Sequence, residues 1–570
     1  MIRLGLLFLM CLFLASHAEG QSRIASVGAQ GKVNTRITEE ELQLPTFRRS
    51  GAMLHAGFPL VVPADPSFKN FRNVTLHDLD GDGADEIIFG SANRLYCFRN
   101  DELLWSAQLF GNSRFPAAIG DLDADGEYEI IVTTGFSDED GMVYVFDKNG
   151  GPVAPWPKAF GGHWKLSSPS VADVDGDGDL EIAFGDLQGS LGSVHLVHHD
   201  GTMYSNAWPV DLPNIPAVTP SFGDLDGDGR SEIIICTTRE IYALDVDGQI
   251  LAGWPIASTG TKYSFQSPVI ADITSDGGLE IMGTGHGDNP HYYAYDASGD
   301  ALNKWPISIP EASWSFHPPT VFSHEGVLSI INAKPGTGAA GDMLFARGPD
   351  GALRPGYPLR QQGGHEGVTT VADVDGDGDP DLVFSSNLIT TDGEGLIYAY
   401  DFFSGALLEG YPLVQKGWTY MNGAAFGDIN GDEKLDMVVL TYTENEGGIP
   451  DTTFVYAYDL QVPDEHVWWS TYKGSNDRSG LIALDPLASS VIEIESLIKV
   501  FPNPSDGLIH FNLPEFMLRP EVQLFDVSGR SIYKFQAFKS SQEIHLPFPG
   551  VYFLHISDGT QYIVEKVISH

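Results

Sequence analysis

The sequence predicts an all-β protein: a β-propeller of eight blades, with seven as the alternative, followed by a small Ig-like β-sandwich. Three observations carry this expectation. An acidic loop written D-x-D-x-D-G and its variants recurs seven times, beginning at Asp78, Asp121, Asp173, Asp224, Asp272, Asp373 and Asp428, mostly about 43 to 55 residues apart. An aromatic residue, usually followed by proline, keeps the same period at Phe58, Trp105, Trp156, Trp208, Trp254, Trp305, Tyr357 and Tyr411. After residue 498 the texture changes to short alternating strands separated by Asp-Gly and Ser-Gly turns.

The loop at Val171 to Asp186, VADVDGDGDLEIAFGD, shows the chemistry. Asp173, Asp175, Asp177 and Glu181 occupy alternate positions of one tight turn, and Gly176 and Gly178 permit the bend. A hard cation such as calcium takes six to eight oxygens at about 2.3–2.6 Å, and side chains spaced in this way converge to supply them. Without a cation, carboxylates at such range repel one another.

The chain has 570 residues, 77 acids against 32 lysines and arginines, and a formal charge of −45. That balance argues against nucleic acid and anionic membranes as partners, which require a basic face. Much of the acidity falls inside the seven loops, so it reads as a metal inventory and not as a disordered acidic tail. Residues 1–20 read as a secretory signal, with Arg3 at the positive start, an apolar run over 4–15, and Ser16-His17-Ala18 as the cleavage site. That run is too short to span a bilayer, and no later run reaches the required length. Residues 21–50 form a polar extension in which no chemistry is legible. Cys97 and Cys236 each sit in a β-like run three repeats apart, which reads as two buried free thiols.

Residues 51–481 hold the repeats. The third unit gives the pattern: a short apolar strand, the acidic loop, a second strand EIAFGD, a third strand SVHLVHHD, a turn at Asp200-Gly201, and a fourth strand near Trp208-Pro209. Four short strands with turns between them compose one propeller blade. The double gap between Asp272 and Asp373 holds a degenerate unit, Pro318 to Ile331, which keeps its strands and has lost its acids.

The blocks SFGDLDGDG (Ser221 to Gly229) and AFGDINGD (Ala425 to Asp432), with the strand EIIFG (Glu86 to Gly90), resemble the FG-GAP repeat of integrin alpha-chain propellers and many bacterial secreted proteins. The resemblance implies calcium in the hairpin between the first two strands of a blade, at about six to seven sites. Carried over by position, it implies as ligands Asp78, Asp80, Asp82 and Glu86; Asp121, Asp123, Asp125 and Glu129; Asp173, Asp175, Asp177 and Glu181; and Asp224, Asp226, Asp228 and Glu232. It continues with Asp373, Asp375, Asp377 and Asp381, then Asp428, Asn430, Asp432 and Asp436. In the Asp272 loop Thr274 replaces the second carboxylate, leaving Asp272, Asp276 and Glu280.

In an antiparallel meander the connection from one blade's last strand to the next blade's first emerges opposite the metal loops. These connections are rich in aromatics and histidine, among them His163, Trp164, Tyr263, Trp314, His317, His365, Trp418 and Tyr420. Such residues on scaffold-held loops suit glycan or protein recognition, and the competing reading is that they wedge between blades as core. No G-x-S-x-G, H-E-x-x-H or cysteine nucleophile in a fitting context is present, and no catalytic residue is assigned. The expected role is a secreted, cell-surface recognition or adhesion module, with a propeller-based polysaccharide lyase or hydrolase as the alternative.

Tyr472 to Gly480, YKGSNDRSG, resembles the closing motif that follows such propellers, and residues 482–498 read as a linker. In residues 499–570, Phe501-Pro502-Asn503-Pro504, Asp526 with Gly529-Arg530, Gly550 with Tyr552, and Glu565-Lys566-Val567-Ile568 resemble the type A sorting domain of type IX secretion. The resemblance implies the type IX machinery as a partner, passage through the outer membrane, and display on the cell surface or release after removal of this domain.

Overall fold

The computed structural model describes residues 22–484 apart from 28–32, 39, 41, 45–51, 66–69, 73, 136–140, 162–164, 166, 189–190, 258, 264, 310–314 and 444–450. It also describes residues 505–569 apart from 506, 513–520, 527–529, 537–540 and 558–561. The signal segment, most of the linker and the Phe501-Pro502-Asn503-Pro504 motif lie outside these residues. The chain divides into two compact units, a ring and a C-terminal module.

Among the described residues the ring has eight four-stranded antiparallel blades, spanning 75–108, 118–159, 170–212, 221–257, 269–308, 320–362, 370–416 and 424–463. The acidic loops join the first strand of a blade to the second, as Ser170–Ala172 and Glu181–Gln188 show in blade three. The degenerate unit is blade six, where Thr320–His324 and Val327–Ala333 meet through a bare Glu325-Gly326 turn. The second strand of each blade is apolar on both faces because neighbouring blades cover both. In blade four Ile233, Ile234 and Ile235 are all fully buried. Each such side chain contributes about 1.5–3 kcal/mol of transfer free energy.

The periodic aromatic is a clasp between blades. The indole Nε1–H of Trp105, Trp156, Trp208, Trp254 and Trp305 donates to a carbonyl in the next blade, at Lys148, His199, Val246, Ala297 and Pro349, over 2.8–3.0 Å. Tyr357 does the same through its hydroxyl to Phe402 O. The ring closes by strand exchange. Leu60–Pro63, from near the start of the chain, forms the outer strand of blade eight by pairing with Thr452–Pro463. The seam between blades eight and one is then filled by Leu60, Val62, Ala425, Val438 and Val455 of blade eight with Leu76, Ile87 and Phe89 of blade one.

The polar extension at 21–50 carries more structure than its composition suggests. Arg23–Val27 and Val33–Ile37 form a hairpin that adds to the second strand of blade seven, with Ile24 opposite Leu388. The sequence hides it because, among the described side chains of this hairpin, only Ile24 and Ala25 are buried and apolar, too few to set a strand pattern.

The axis is filled. After blade eight, Val467–Trp469 pairs with the first strand of blade seven, and the chain then crosses the channel as far as Ile482. Backbone N–H groups of Ile119, Val171, Phe222, Ile270 and Phe426, each on a blade's first strand, donate to carbonyls of Asn476, Asp477, Ser479, Gly480 and Ser470. Blade one is reached by Asn476 Nδ2 to Leu76 O and by Arg478 Nη2 to Thr75 Oγ1. Arg478 is fully buried and also donates to Ala117 O, Thr471 Oγ1, Tyr472 O and Ser475 O. Lys473, equally buried, donates to Pro220 O and Ser221 Oγ. The segment satisfies inward-facing backbone groups that would otherwise need water.

The C-terminal module pairs Leu508–Asn512 with Ser541–His545, and carries a second sheet in the order Ser531–Gln536, Glu521–Asp526, Gly550–Ser557, Tyr562–Ser569. Ile509, Phe511 and Ile544 of the first sheet pack with Val522, Leu524, Leu554 and Ile556 of the second, as in a sandwich.

Replacing Arg478 by Ala should leave several buried acceptors unpaired and destabilise the ring by roughly 3 kcal/mol. Thermal unfolding compared with exposed Arg360→Ala checks this; equal melts would show that the axial segment does not hold the ring.

Candidate metal centres and the opposite face

The metal loops share one backbone design. In loop one Asp78 accepts from Gly81 N–H and Gly83 N–H, both at 2.8 Å, which folds the turn around its first carboxylate. Gly81 and Gly83 have φ of 77° and 90°, and a Cβ at either would meet open space. The left-handed backbone, not crowding, therefore selects glycine. The ninth residue of every loop turns one oxygen back to the start. Leu79, Leu122, Val174, Leu225, Ile273, Val374 and Ile429 donate their N–H to Glu86, Glu129, Glu181, Glu232, Glu280, Asp381 and Asp436.

Among the described residues five loops bring three carboxylates together with oxygens within 4.8 Å: Asp78, Asp80, Glu86; Asp121, Asp123, Glu129; Asp173, Asp175, Glu181; Asp224, Asp226, Glu232; and Asp373, Asp375, Asp381. The fifth-position acids Asp82, Asp125, Asp177, Asp228 and Asp377 stand outside these triads and accept from the N–H two residues on. The Asp272 and Asp428 loops form no such group. Thr274 Oγ1 donates to Glu280 in the one. In the other Asn430 Nδ2 donates to Asp436, which also lies 2.7 Å from His55 Nε2.

The ninth-position carboxylates Glu129, Glu232 and Asp381 are buried among other carboxylates. Burial, then the neighbouring carboxylates, pushes Glu129 and Glu232 up to about 7 and Asp381 to about 8. All donors in the triads are hard oxygens, so the residues fit a divalent cation of the calcium type, with the triad acids as its side-chain ligands. Such an ion would supply the missing positive charge and pin the hairpin.

The opposite face corrects one expectation. Tyr263, His317, His365, Trp418 and Tyr420 do not present themselves to solvent, because the ring and its N-terminal hairpin cover them. Trp418 packs with Ala25 and Ile389 and lies under Arg23, 5.6 Å from its ring. Tyr420 donates to Glu366 Oε2, His317 Nε2 meets Thr369 Oγ1 at 2.8 Å, and His365 Nδ1 donates to Ser385 O. Burial pushes His365 down to about 3 and His317 well below the usual histidine range. His163, Trp164 and Trp314 lie outside the described residues. Cys97 and Cys236 are buried and unpaired.

Neighbouring residues on the same connections do form a hollow. Phe71, Phe115, Phe265 and Phe316 line it with Arg72 and Arg114, and Tyr472 of the axial segment contributes from within. Arg114 lies 4.8 Å over Phe71 and 5.7 Å over Phe115. Arg72 donates to Phe316 O and Phe265 O, and its Nη1 makes no hydrogen bond. Burial lowers both guanidinium groups, Arg114 to about 10. The arginines, which sequence reading passed over, directly precede first strands.

The FG-GAP-like repeat model matches residues 121–184 and 373–439, and the secretion system C-terminal sorting domain matches residues 499–570. No curated protein matches the chain. Among solved structures, the biofilm matrix protein Bap1 of V. cholerae is 12% identical over 71% of this chain and 90% of its own, with a TM-score of 0.47. The Dos1 propeller is 13% identical over 71% and 96%, with a TM-score of 0.35. PorZ, a surface component of the type IX secretion system of Porphyromonas gingivalis, is 12% identical over 87% and 75%, with a TM-score of 0.20. The chain therefore carries FG-GAP-like repeats on a β-propeller and a type IX sorting tail, which marks a secreted, cell-surface protein that engages the type IX machinery. No helix among the described residues is long and apolar enough to cross a membrane.

Two outcomes are expected. Excess EDTA should lower the melting temperature by on the order of 5 °C, reversed by calcium, since each site filled to ten times its dissociation constant contributes about 1.4 kcal/mol; an unchanged melt would remove the metal reading. His317 and His365 stay neutral when folded and protonate when unfolded below about 6.5, so the unfolded state binds more protons between about pH 3 and 6.5. Stability should fall as pH drops through that window, and His365→Gln should flatten the slope of melting temperature against pH relative to the native protein.

Proposed function

We propose that the protein is a calcium-stabilised propeller, exported with residues 1–20 as its signal, that recognises an extracellular glycan or protein ligand at the cell surface. One observation supports this best: the hollow on the face opposite the metal loops, where the half-buried rings of Phe115 and Phe265 gather with the buried Phe71, Phe316, Arg72 and Arg114 from loops of several blades. The ring holds these loops rigid, and the aromatic faces offer stacking area while the arginines favour a carboxylate or sulfate. Its two arginines are buried and stand near the carboxylates of Glu366 and Asp65, so the hollow offers polar contacts beside its rings. The axial segment blocks passage through the ring, so a ligand meets the rim and does not thread the channel.

The lyase or hydrolase alternative gains nothing here, because His317 and His365, its nearest candidates for acid–base work, are buried and held by hydrogen bonds. The test is a glycan array and pull-down with the mature protein, with and without calcium. Phe115→Ala and Phe265→Ala should reduce binding at least tenfold, on the order of 1.4 kcal/mol per tenfold, with little change in melting temperature. Binding that survives both substitutions would exclude the hollow as the recognition site.

A further inference from the structure

Loop one differs from the other convergent loops in one respect that its acidic pattern conceals. Strand register places Arg99 directly across from the ninth-position Glu86. Its guanidinium reaches three of the four expected ligands: Nη2 lies 2.7 Å from Asp80 Oδ2 and 2.5 Å from Glu86 Oε1, and Nη1 lies 2.8 Å from Asp82 Oδ2. Asp78, the fourth, has both oxygens engaged by backbone N–H groups of its own turn.

The same register puts no such cation elsewhere. Ile130 opposite Phe146 and Ile233 opposite Leu244 set Asp147 and Asp245 across from Glu129 and Glu232, and Asp401 stands across from Asp381. Those aspartates accept from their own following turns, at Asn149, Gln249 and Ser404. Loop three has His198, which touches only Glu181 among the expected ligands.

We propose that Arg99 is a built-in cation that takes the place of calcium in blade one, so that this loop is neutralised by the chain itself. An incoming divalent ion would have to displace a guanidinium already paired in a fork with its ligands, and would meet like charge at contact distance. Blade one is also where the ring closes on blade eight. The seam would then keep its loop in order at calcium concentrations that empty its neighbours. This inference rests on the calcium reading of the other loops, but its test is a difference in stoichiometry.

The experiment is native mass spectrometry of the full chain equilibrated with calcium. Arg99→Met should bind one ion more than the native protein. Asp80→Asn with Asp82→Asn should bind the same number as the native protein, whereas Asp121→Asn with Asp123→Asn should bind one fewer. An unchanged count in Arg99→Met, or loss of an ion in the Asp80/Asp82 variant, would overturn the proposal. No calcium on the native protein would sink the calcium reading by itself, and a single ion gained by Arg99→Met would still support the role of Arg99. The Asp80/Asp82 variant keeps the question decidable should Arg99→Met fail to fold.

Discussion

Eight first strands face one axis, and each brings backbone donors and acceptors with no strand beyond them. A buried amide left unpaired costs about as much as a lost hydrogen bond, so the architecture depends on how this inner edge is satisfied. The protein meets the constraint with its own chain: residues 467–482 pair with, accept from or donate to the first strands of seven blades. Arg478 and Lys473 follow from that choice. A segment threaded through the axis brings carbonyls of its own, and long cationic side chains inside the channel satisfy them together with those of the blades.

The acidic loops meet a different constraint at the rim. Each ninth-position carboxylate is held by the N–H of the loop's second residue, which fixes the turn and buries a negative charge beside two or three others. The charge must be answered locally, since water reaches it poorly. The Asp78 loop answers it with Arg99, the Asp428 loop partly with His55, and the Asp173 loop partly with His198. The Asp121, Asp224 and Asp373 loops carry acids where those cations would stand, and there the demand for an external ion is greatest.

Much of this was legible in the sequence because it repeats. The acidic loop, the apolar second strand and the periodic aromatic each recur, and repetition turned weak local signals into a blade count and a loop position. The hydrogen bond from each tryptophan to the next blade also explains why the aromatic period matches the loop period. What escaped was non-repeating and long-range. Residues 23–37 look like polar leader because one neighbouring blade edge, not their own pattern, holds them. Arg99 escaped as well, since only the register with Glu86 shows what it faces. Trp418 and Tyr420 looked like surface aromatics because the residues that cover them come from another part of the chain.

The closing strand has a consequence for the order of events in time. Leu60 pairs with Val455, so the contact that completes the circle joins points about 400 residues apart. Contacts of such separation form late and slowly, because the loop entropy must be met before they return anything. A growing or partly translocated chain therefore cannot finish its circle, and its first and last blades keep unsatisfied edges until nearly all of the ring is available. The native ring is reached only when nearly all of its sequence is at hand, and any earlier halt leaves an open, sticky arc that a cell would need to shield or destroy.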